Sequence, residues 1–123
     1  MKINNTDIEN CRQPYLIAEI GVNYFDIAEN RDISSLEAAK EMVAEAATAG
    51  VDAVKFQSYS ADQLASKQSP AYWDTNEEST ETQHELFTQY DDFGAKEFEE
   101  IAGWTNNNHD VDFLSTPFDF HAV

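Results

Sequence analysis

The sequence predicts an α/β protein that corresponds to about the first three strands of a TIM (β/α)8 barrel. Three apolar runs of strand length alternate with helical patterns, an order that favours a parallel sheet with right-handed crossovers. The chain has 123 residues, whereas a complete barrel of this kind needs about 250. We therefore expect the N-terminal part of a larger barrel, which by itself would be marginally stable and would have open sheet edges.

The first predicted strand and the first predicted helix are separated by a polar loop. Tyr15–Val22 (YLIAEIGV) has the length and apolar content of a buried strand. The stretch that follows, NYFDIAENRD, is predicted to be a loop because polar residues dominate it. Ser34 and Glu37 have the spacing of a capping box and Gly50 supplies a stop, so a helix should lie between them.

A long polar segment precedes the remaining predicted elements. The second strand is Ala53–Gln57, and the polar segment runs from Ser58 to about Glu81, a length that in compact domains usually signals a functional or flexible loop. A short helix is predicted from near Thr80, with an apolar side formed by Leu86, Phe87 and Tyr90. A second helix should cover Ala95 to Asn107, and the third strand should be Val111–Ser115.

The charge balance limits the kinds of partner. The chain has 24 Asp and Glu against seven Lys and Arg, a formal net charge of −17. This excess of acids disfavours binding to nucleic acid or to an anionic membrane, because both require a basic surface. The acids are spread along the chain, so we expect a generally acidic surface from a salt-adapted organism. With no apolar run of membrane-spanning length or leader-like segment, the expected location is cytoplasmic, and the single Cys11 excludes an internal disulfide.

Polar side chains late in the predicted strands mark a candidate site. Strand alternation places Lys55 and Gln57 on one face of the second strand, opposite Val54 and Phe56, which should pack against helices. By the same reasoning, Glu19 of the first strand and the pair Leu114 and Thr116 of the third strand should point inward. Active sites of TIM barrels lie at this carboxyl end of the strands.

Two interpretations of these side chains stay open at this point. Glu19 and Lys55, on neighbouring strands, could simply form a buried ion pair, although such pairs seldom add much stability. Alternatively, Lys55, Gln57 and Thr116 form an anion-binding cluster, the interpretation that we favour. The histidines are weaker candidates: His84 and His109 are expected at the surface, and His121 could approach the site from beyond the third strand.

Three motifs at the ends of these strands carry a specific resemblance. They are IAEIGVN (17–23), AGVDAVKFQS (49–58) and FLSTPFD (113–119), with ETQHELF (81–87) between the last two. In this order they resemble the N-terminal half of the sialic acid synthase family, which includes the N-acetylneuraminate, legionaminate and pseudaminate synthases. The resemblance covers residues 14–123, which we expect to be the N-terminal part of the catalytic barrel, preceded by a lead-in at 1–13.

The resemblance implies a metal-dependent condensation of phosphoenolpyruvate with an N-acyl amino-hexose of the N-acetylmannosamine type. Lys55 and Thr116 would bind the anionic groups of phosphoenolpyruvate, because a phosphate and a carboxylate need cationic and hydroxyl donors. Glu19 would be the catalytic carboxylate beside the reacting carbon and the attacking water. Substrate-binding roles toward the sugar are expected for Gln57, Asn23 and Asn76.

The chain also departs from the family pattern. The family usually continues its first motif as Asn-His-x-Gly, whereas this chain has Asn23-Tyr24-Phe25-Asp26. The family's metal-binding histidines, for manganese or magnesium, its later phosphate-binding residues and its C-terminal antifreeze-like domain would all lie beyond Val123. The resemblance implies a homodimer for a full-length member and an inactive chain when these residues stand alone. Two other interpretations are a non-catalytic remnant or interaction module, and a related phosphoenolpyruvate-dependent aldulosonate synthase.

Overall fold

The structure is a computed structural model that describes residues 1–123. Its strands and helices follow in chain order: β1 (Lys2–Ile3), β2 (Thr6–Asp7), β3 (Ile17–Gly21), α1 (Tyr24–Arg31), α2 (Ser35–Ala49), β4 (Ala53–Ser58), α3 (Ala61–Leu64), α4 (Gln83–Gln89), α5 (Ala95–Asn108) and β5 (Asp112–Pro117). A short 3₁₀ turn, Ile8–Asn10, follows β2.

A three-stranded parallel sheet forms the centre of the molecule. Its order is β3-β4-β5, so the middle strand pairs on both sides and the outer edges of β3 and β5 remain unpaired within the chain. This confirms the predicted α/β class, the three strands and their parallel direction. The sheet is also the feature that places the polar ends of all three strands side by side.

The hydrophobic core lies between one face of this sheet and the helices. Val54 and Phe56 of β4 have no solvent exposure, and they pack with Val43 of α2 and Ile101 of α5. Burial of an apolar side chain of this size is worth about 1.5–3 kcal/mol relative to exposure. The alternation predicted for Val54 to Gln57 is therefore confirmed, because Val54 and Phe56 are buried against the helices while Lys55 and Gln57 are only partly buried.

The ends of helix α2 match the local sequence signals. The Ser34 hydroxyl accepts a hydrogen bond from the Glu37 amide, and the Glu37 carboxylate accepts one from the Ser34 amide, at 3.2 and 3.1 Å. Gly50 ends the helix with a φ of +85°, a backbone conformation that glycine adopts without a Cβ penalty. The predicted start and stop of this helix are both confirmed.

The prediction of a loop for NYFDIAENRD is wrong. These residues begin helix α1, whose Tyr24 and Ala28 are buried one turn apart. The Tyr24 ring stacks on Phe93, with ring centroids 4.2 Å apart. Helix α1 is stabilised by these tertiary contacts. Its mostly polar sequence does not indicate them, which is why the sequence predicts a loop.

Two further segments are more ordered than the sequence predicts. The lead-in contains a hairpin of β1 and β2, whose Asn4 amide donates to Asp112 at 2.5 Å. The polar segment from Ser58 to Glu81 contains α3, and an antiparallel bridge between Pro70 and Thr82 closes its far end. None of the helices is both long and apolar enough to cross a membrane.

Candidate functional site

The candidate site lies on the face of the sheet that no helix covers, here called the open face. Its side chains are Ile17, Glu19, Lys55, Gln57, Leu114 and Thr116. The Ile17 side chain is 44% exposed, so this chain covers the open face only in part. The polar members lie toward the carboxyl ends of their strands.

Glu19 and Lys55 are held together by the strand pairing. They are direct partners in the parallel register of β3 and β4, and the Lys55 ammonium lies 2.7 Å from a Glu19 carboxylate oxygen. The side chains are 34% and 48% exposed, so within this chain the pair is not buried. An exposed pair of this kind contributes at most about 1 kcal/mol. The ion pair between Glu19 and Lys55, one of the two interpretations of the sequence, therefore forms. Its contribution to the free energy of unfolding is small.

A backbone irregularity places Gly21 beside both Gln57 and the Glu19 carboxylate. The register of β3 against β4 shifts between Glu19 and Gly21, and Gly21 adopts a φ of +59°. A Cβ atom at Gly21 would lie 3.4 Å from the Gln57 amide nitrogen and 3.7 Å from a Glu19 carboxylate oxygen. Gly21 is thus a site-forming residue that strand alternation does not reveal, although it stands in the IAEIGVN motif.

Strand β5 adds the Thr116 hydroxyl to the polar side chains of the open face. Thr116 is the direct register partner of Gln57, as Leu114 is of Lys55. Next to them, the hydroxyls of Ser58 and Ser115 contact one another. The sequence-predicted residues Glu19, Lys55, Gln57 and Thr116 are therefore neighbours along adjacent strands.

The two asparagines occupy other positions. Asn23 precedes α1 directly, in helical backbone conformation, and its side chain is exposed. Asn76 lies in the polar loop, where its backbone and side-chain amides both donate to Asp74, at 2.9 and 2.8 Å. These bonds lower the pKa of Asp74. Asn76 therefore hydrogen bonds a residue of its own loop, and it makes no hydrogen bond to the side chains of the open face.

Two of the three histidines, His84 and His109, are more enclosed than a surface position predicts. The His84 side chain is only 16% exposed, and it forms a hydrogen bond with Asp62 at 2.8 Å. This hydrogen bond is the main reason that the pKa of Asp62 is lowered. His109 packs against Trp104, and its Nε2 atom is buried without a hydrogen-bond partner. His121 is exposed after β5. None of the three joins the open face.

The chain provides no metal centre. No group of three or more His, Cys, Asp or Glu side chains is close enough together to hold a metal ion. The carboxylate of Glu19 is engaged by Lys55, whose positive charge opposes cation binding there. The residues present therefore do not fit the divalent metal that the resemblance implies.

The arrangement is suited to binding an anion beside a carboxylate. The Lys55 ammonium forms an ion pair with Glu19, and it carries three N–H donors that can bind an anion. Thr116 can donate a hydroxyl proton and Gln57 can donate and accept. A cation, a carboxylate and neutral donors at the carboxyl ends of parallel strands form a recognisable site in α/β folds.

Sequence comparison matches this chain to one protein family. A profile of the NeuB family matches residues 42–123. The chain is 33% identical to the N,N'-diacetyllegionaminic acid synthase of Legionella pneumophila over 111 residues, which cover 89% of this chain and 28% of that protein. An uncharacterized protein of Methanocaldococcus jannaschii is 34% identical over 125 residues, covering 100% of this chain and 30% of its own length.

Structural comparison agrees. The crystal structure of the N-acetylneuraminic acid (sialic acid) synthetase from Leptospira borgpetersenii serovar Hardjo-bovis, solved in complex with citrate, is similar with a TM-score of 0.57 and 25% identity. The match covers 86% of this chain and 30% of that structure, so the chain spans less than a third of each of these relatives. The family profile covers more than half of the chain, and with the fold and the motifs it leads to one conclusion: the chain belongs to the NeuB family.

Proposed function

We propose that residues 14–123 form the first three strands of a TIM barrel that condenses phosphoenolpyruvate with an N-acyl amino-hexose to a sialic-type nonulosonic acid and phosphate. The observation that carries this proposal is the convergence of Glu19, Lys55, Gln57 and Thr116 on the open face. The match to a legionaminic acid synthase supports a sugar acceptor of this class.

The proposed reaction assigns the anionic substrate to Lys55 and Thr116. Lys55 binds the phosphate or the carboxylate of phosphoenolpyruvate with its ammonium group, and the Thr116 hydroxyl adds a neutral hydrogen bond. Carbon C3 of the enol attacks the aldehyde carbon of the open-chain sugar, water adds to C2, and the C2–O bond to phosphate breaks. The products are the nonulosonic acid and inorganic phosphate.

Glu19 has the role of the catalytic carboxylate in this scheme. Positive charge develops at C2 of phosphoenolpyruvate when C3 attacks, and a fixed carboxylate stabilises that charge in a water-poor site. The same carboxylate can accept a proton from the water that adds to C2. Lys55 holds Glu19 in place through the 2.7 Å ion pair.

The sugar would bind on the side of Gln57. The Gln57 amide nitrogen would lie 3.4 Å from a Cβ atom at Gly21, on the side of that glycine where the Glu19 carboxylate also lies. Asn23 and the loop that contains Asn76 would complete this side, and Asn76 would have to exchange its bond to Asp74 for the sugar. The metal site, the remaining phosphate-binding groups and the other strands would come from polypeptide outside these residues.

The first test concerns completeness. We expect the purified 123-residue chain to release no phosphate from phosphoenolpyruvate with N-acetylmannosamine and manganese or magnesium. We also expect the DNA downstream of the Val123 codon to continue in frame and to encode further strands and a pair of histidines. Turnover by the chain alone would contradict the proposal that the reaction needs groups from outside these residues. An immediate stop codon would favour a non-catalytic remnant.

The second test concerns Lys55 in the full-length enzyme, meaning the protein that joins these residues to the rest of the barrel. Lys55→Ala should raise the KM for phosphoenolpyruvate by at least about tenfold, because it removes a charged hydrogen bond worth about 1.5–3 kcal/mol. Lys96→Ala, which removes an exposed lysine of α5, serves as the matched control. Near-normal kinetics for Lys55→Ala would mean that the lysine is structural, and a preference for an acceptor without an N-acyl group would favour an aldulosonate synthase.

A further inference from the structure

Two carboxylates from distant parts of the chain hold the start of the polar loop. Asp119, beyond β5, accepts a hydrogen bond from the backbone amide of Ser60 at 2.6 Å. Asp91, beyond α4, accepts one from the next amide, that of Ala61, at 2.8 Å. The hydroxyl of Ser60 makes no capping bond of its own, and the two carboxylates instead bind the amides of this N-cap residue and of the first residue of α3.

Asp119 is the more strongly engaged of the two. Its second carboxylate oxygen accepts from the amides of His121 and Ala122, at 2.8 and 2.9 Å. One side chain therefore joins the segment after β4 to the segment after β5. Its bond with the Ser60 amide is the main cause that lowers the pKa of Asp119 below its ordinary value.

This contact continues the pairing of the two strands beyond their ends. The amide of Phe118 donates to the carbonyl of Ser58 at 2.9 Å, and the Ser58 and Ser115 hydroxyls contact each other. The Tyr59 ring packs edge-on against Phe118, with centroids 6.5 Å apart. Asp119 is the last polar link in this series, and the register partners Gln57 and Thr116 lie three residues before Ser60 and Asp119, respectively.

We infer that Asp119 is a positioning residue that fixes the direction in which the loop of residues 59–82 leaves the sheet, and thereby places that loop over the sugar side of the site. The inference rests on the proposed function for the sugar, while the contact itself stands on geometry. The carboxylate touches no reacting atom, and it acts through Ser60. Its loss should weaken sugar binding more than phosphoenolpyruvate binding, because Lys55 and Thr116 are held by strand pairing.

The first experiment measures amide hydrogen exchange in the 123-residue chain. Asp119→Asn keeps the shape but turns one oxygen into an NH₂ group, which cannot accept from a backbone amide. The Ser60 amide should then exchange at least about tenfold faster, and Asp119→Ala should show the same effect. The control is Asp74→Asn in the middle of the same loop, where the only side-chain bonds are to Asn76. Unchanged exchange at Ser60 in both Asp119 variants would overturn the inference.

The second experiment separates positioning from general stability in the full-length enzyme. Asp119→Asn should raise the KM for the amino-hexose about tenfold and change the KM for phosphoenolpyruvate less than about twofold, with a melting temperature close to that of the wild type. Asp119→Glu should recover part of the loss, since it restores the second acceptor oxygen. Equal changes in both KM values, or none, would overturn the inference.

The two readouts also separate this inference from the proposed function. If the wild-type enzyme lacks synthase activity but Asp119→Asn accelerates exchange at Ser60, the proposed function and the sugar-side role both fail while the clamp on the loop stands. If synthase activity is present but the variant leaves the sugar KM unchanged, only the positioning role fails.

Discussion

At the scale of single residues, Gly21 lies beside both Glu19 and Gln57 at the register shift of β3 against β4. Its φ of +59° lies in the left-handed region, where a Cβ costs about 1–2 kcal/mol. A Cβ atom at this position would be in van der Waals contact with the Gln57 amide nitrogen, at 3.4 Å, so the cost of a side chain comes mainly from the backbone conformation. Lys55 and Gln57 could be oriented from strand alternation, but this glycine conformation follows from the register shift against β4 and cannot be deduced from a period-two pattern.

Gly21→Ala should therefore lower the free energy of unfolding by about 1–2 kcal/mol. The matched control is Gly103→Ala in α5, where the added methyl group has no neighbour within 4 Å outside the adjoining helix backbone. That change should raise stability by about 0.5–1 kcal/mol, because alanine is the better helix former. Urea unfolding of the two variants measures both effects, and a neutral Gly21→Ala would contradict the strained conformation.

At the scale of elements, helices α2 and α5 could be predicted because their apolar positions and ends are marked in the sequence. Helix α1 could not be predicted, since its stability comes from the burial of Tyr24 and Ala28 against residues such as Phe93 that are distant in sequence. Tertiary packing of this kind commonly overrides a weak local pattern. Tyr24 also stands where the family usually has histidine, so the departure from the motif is a core residue of this chain.

Ser34→Ala should cost about 1 kcal/mol of unfolding free energy, because it removes the side-chain cap of α2. Ser35→Ala, one position later, removes a hydroxyl that has no capping role and should change stability by less than about 0.5 kcal/mol. Thermal unfolding monitored by circular dichroism distinguishes the two. Equal effects at both positions would mean that the capping box does not stabilise the fold.

The capping box also predicts a dependence on pH. The hydrogen bonds from Ser34 hold the pKa of Glu37 below its ordinary value of 4.5. A lowered folded-state pKa contributes stability that is present above the ordinary value and is lost as the pH falls through the lowered one. The difference in stability between wild type and Ser34→Ala should therefore shrink between about pH 6 and about pH 3. A difference that is constant across this range would show that the ionised Glu37 is not part of the cap.

At the scale of the whole molecule, the net charge of −17 is the dominant feature. Four of the seven Lys and Arg side chains form ion pairs with acids, which leaves most of the 24 acids without a positive partner. Self-repulsion of this kind destabilises the compact state, and salt screens it.

Raising the KCl concentration from about 0.01 M to about 1 M, where the Debye length falls from about 30 to about 3 Å, should raise the melting temperature of the chain. An uncharged osmolyte at equal osmolality is the control, since it screens no charge. A melting temperature that is the same at both salt concentrations would contradict the salt-adapted interpretation.

The sequence by itself determined the strand order, the capped helix α2, the two faces of β4 and the family motifs. These features depend on local signals: period-two alternation, capping residues and contiguous runs of matching residues. Only the tertiary structure decided that Tyr24 starts a helix, that Gly21 adopts a positive φ beside Glu19 and Gln57, and that Asp119 binds Ser60. Each of these depends on contacts between residues far apart in the chain, and no local pattern encodes which distant partner a backbone amide or an aromatic ring will meet.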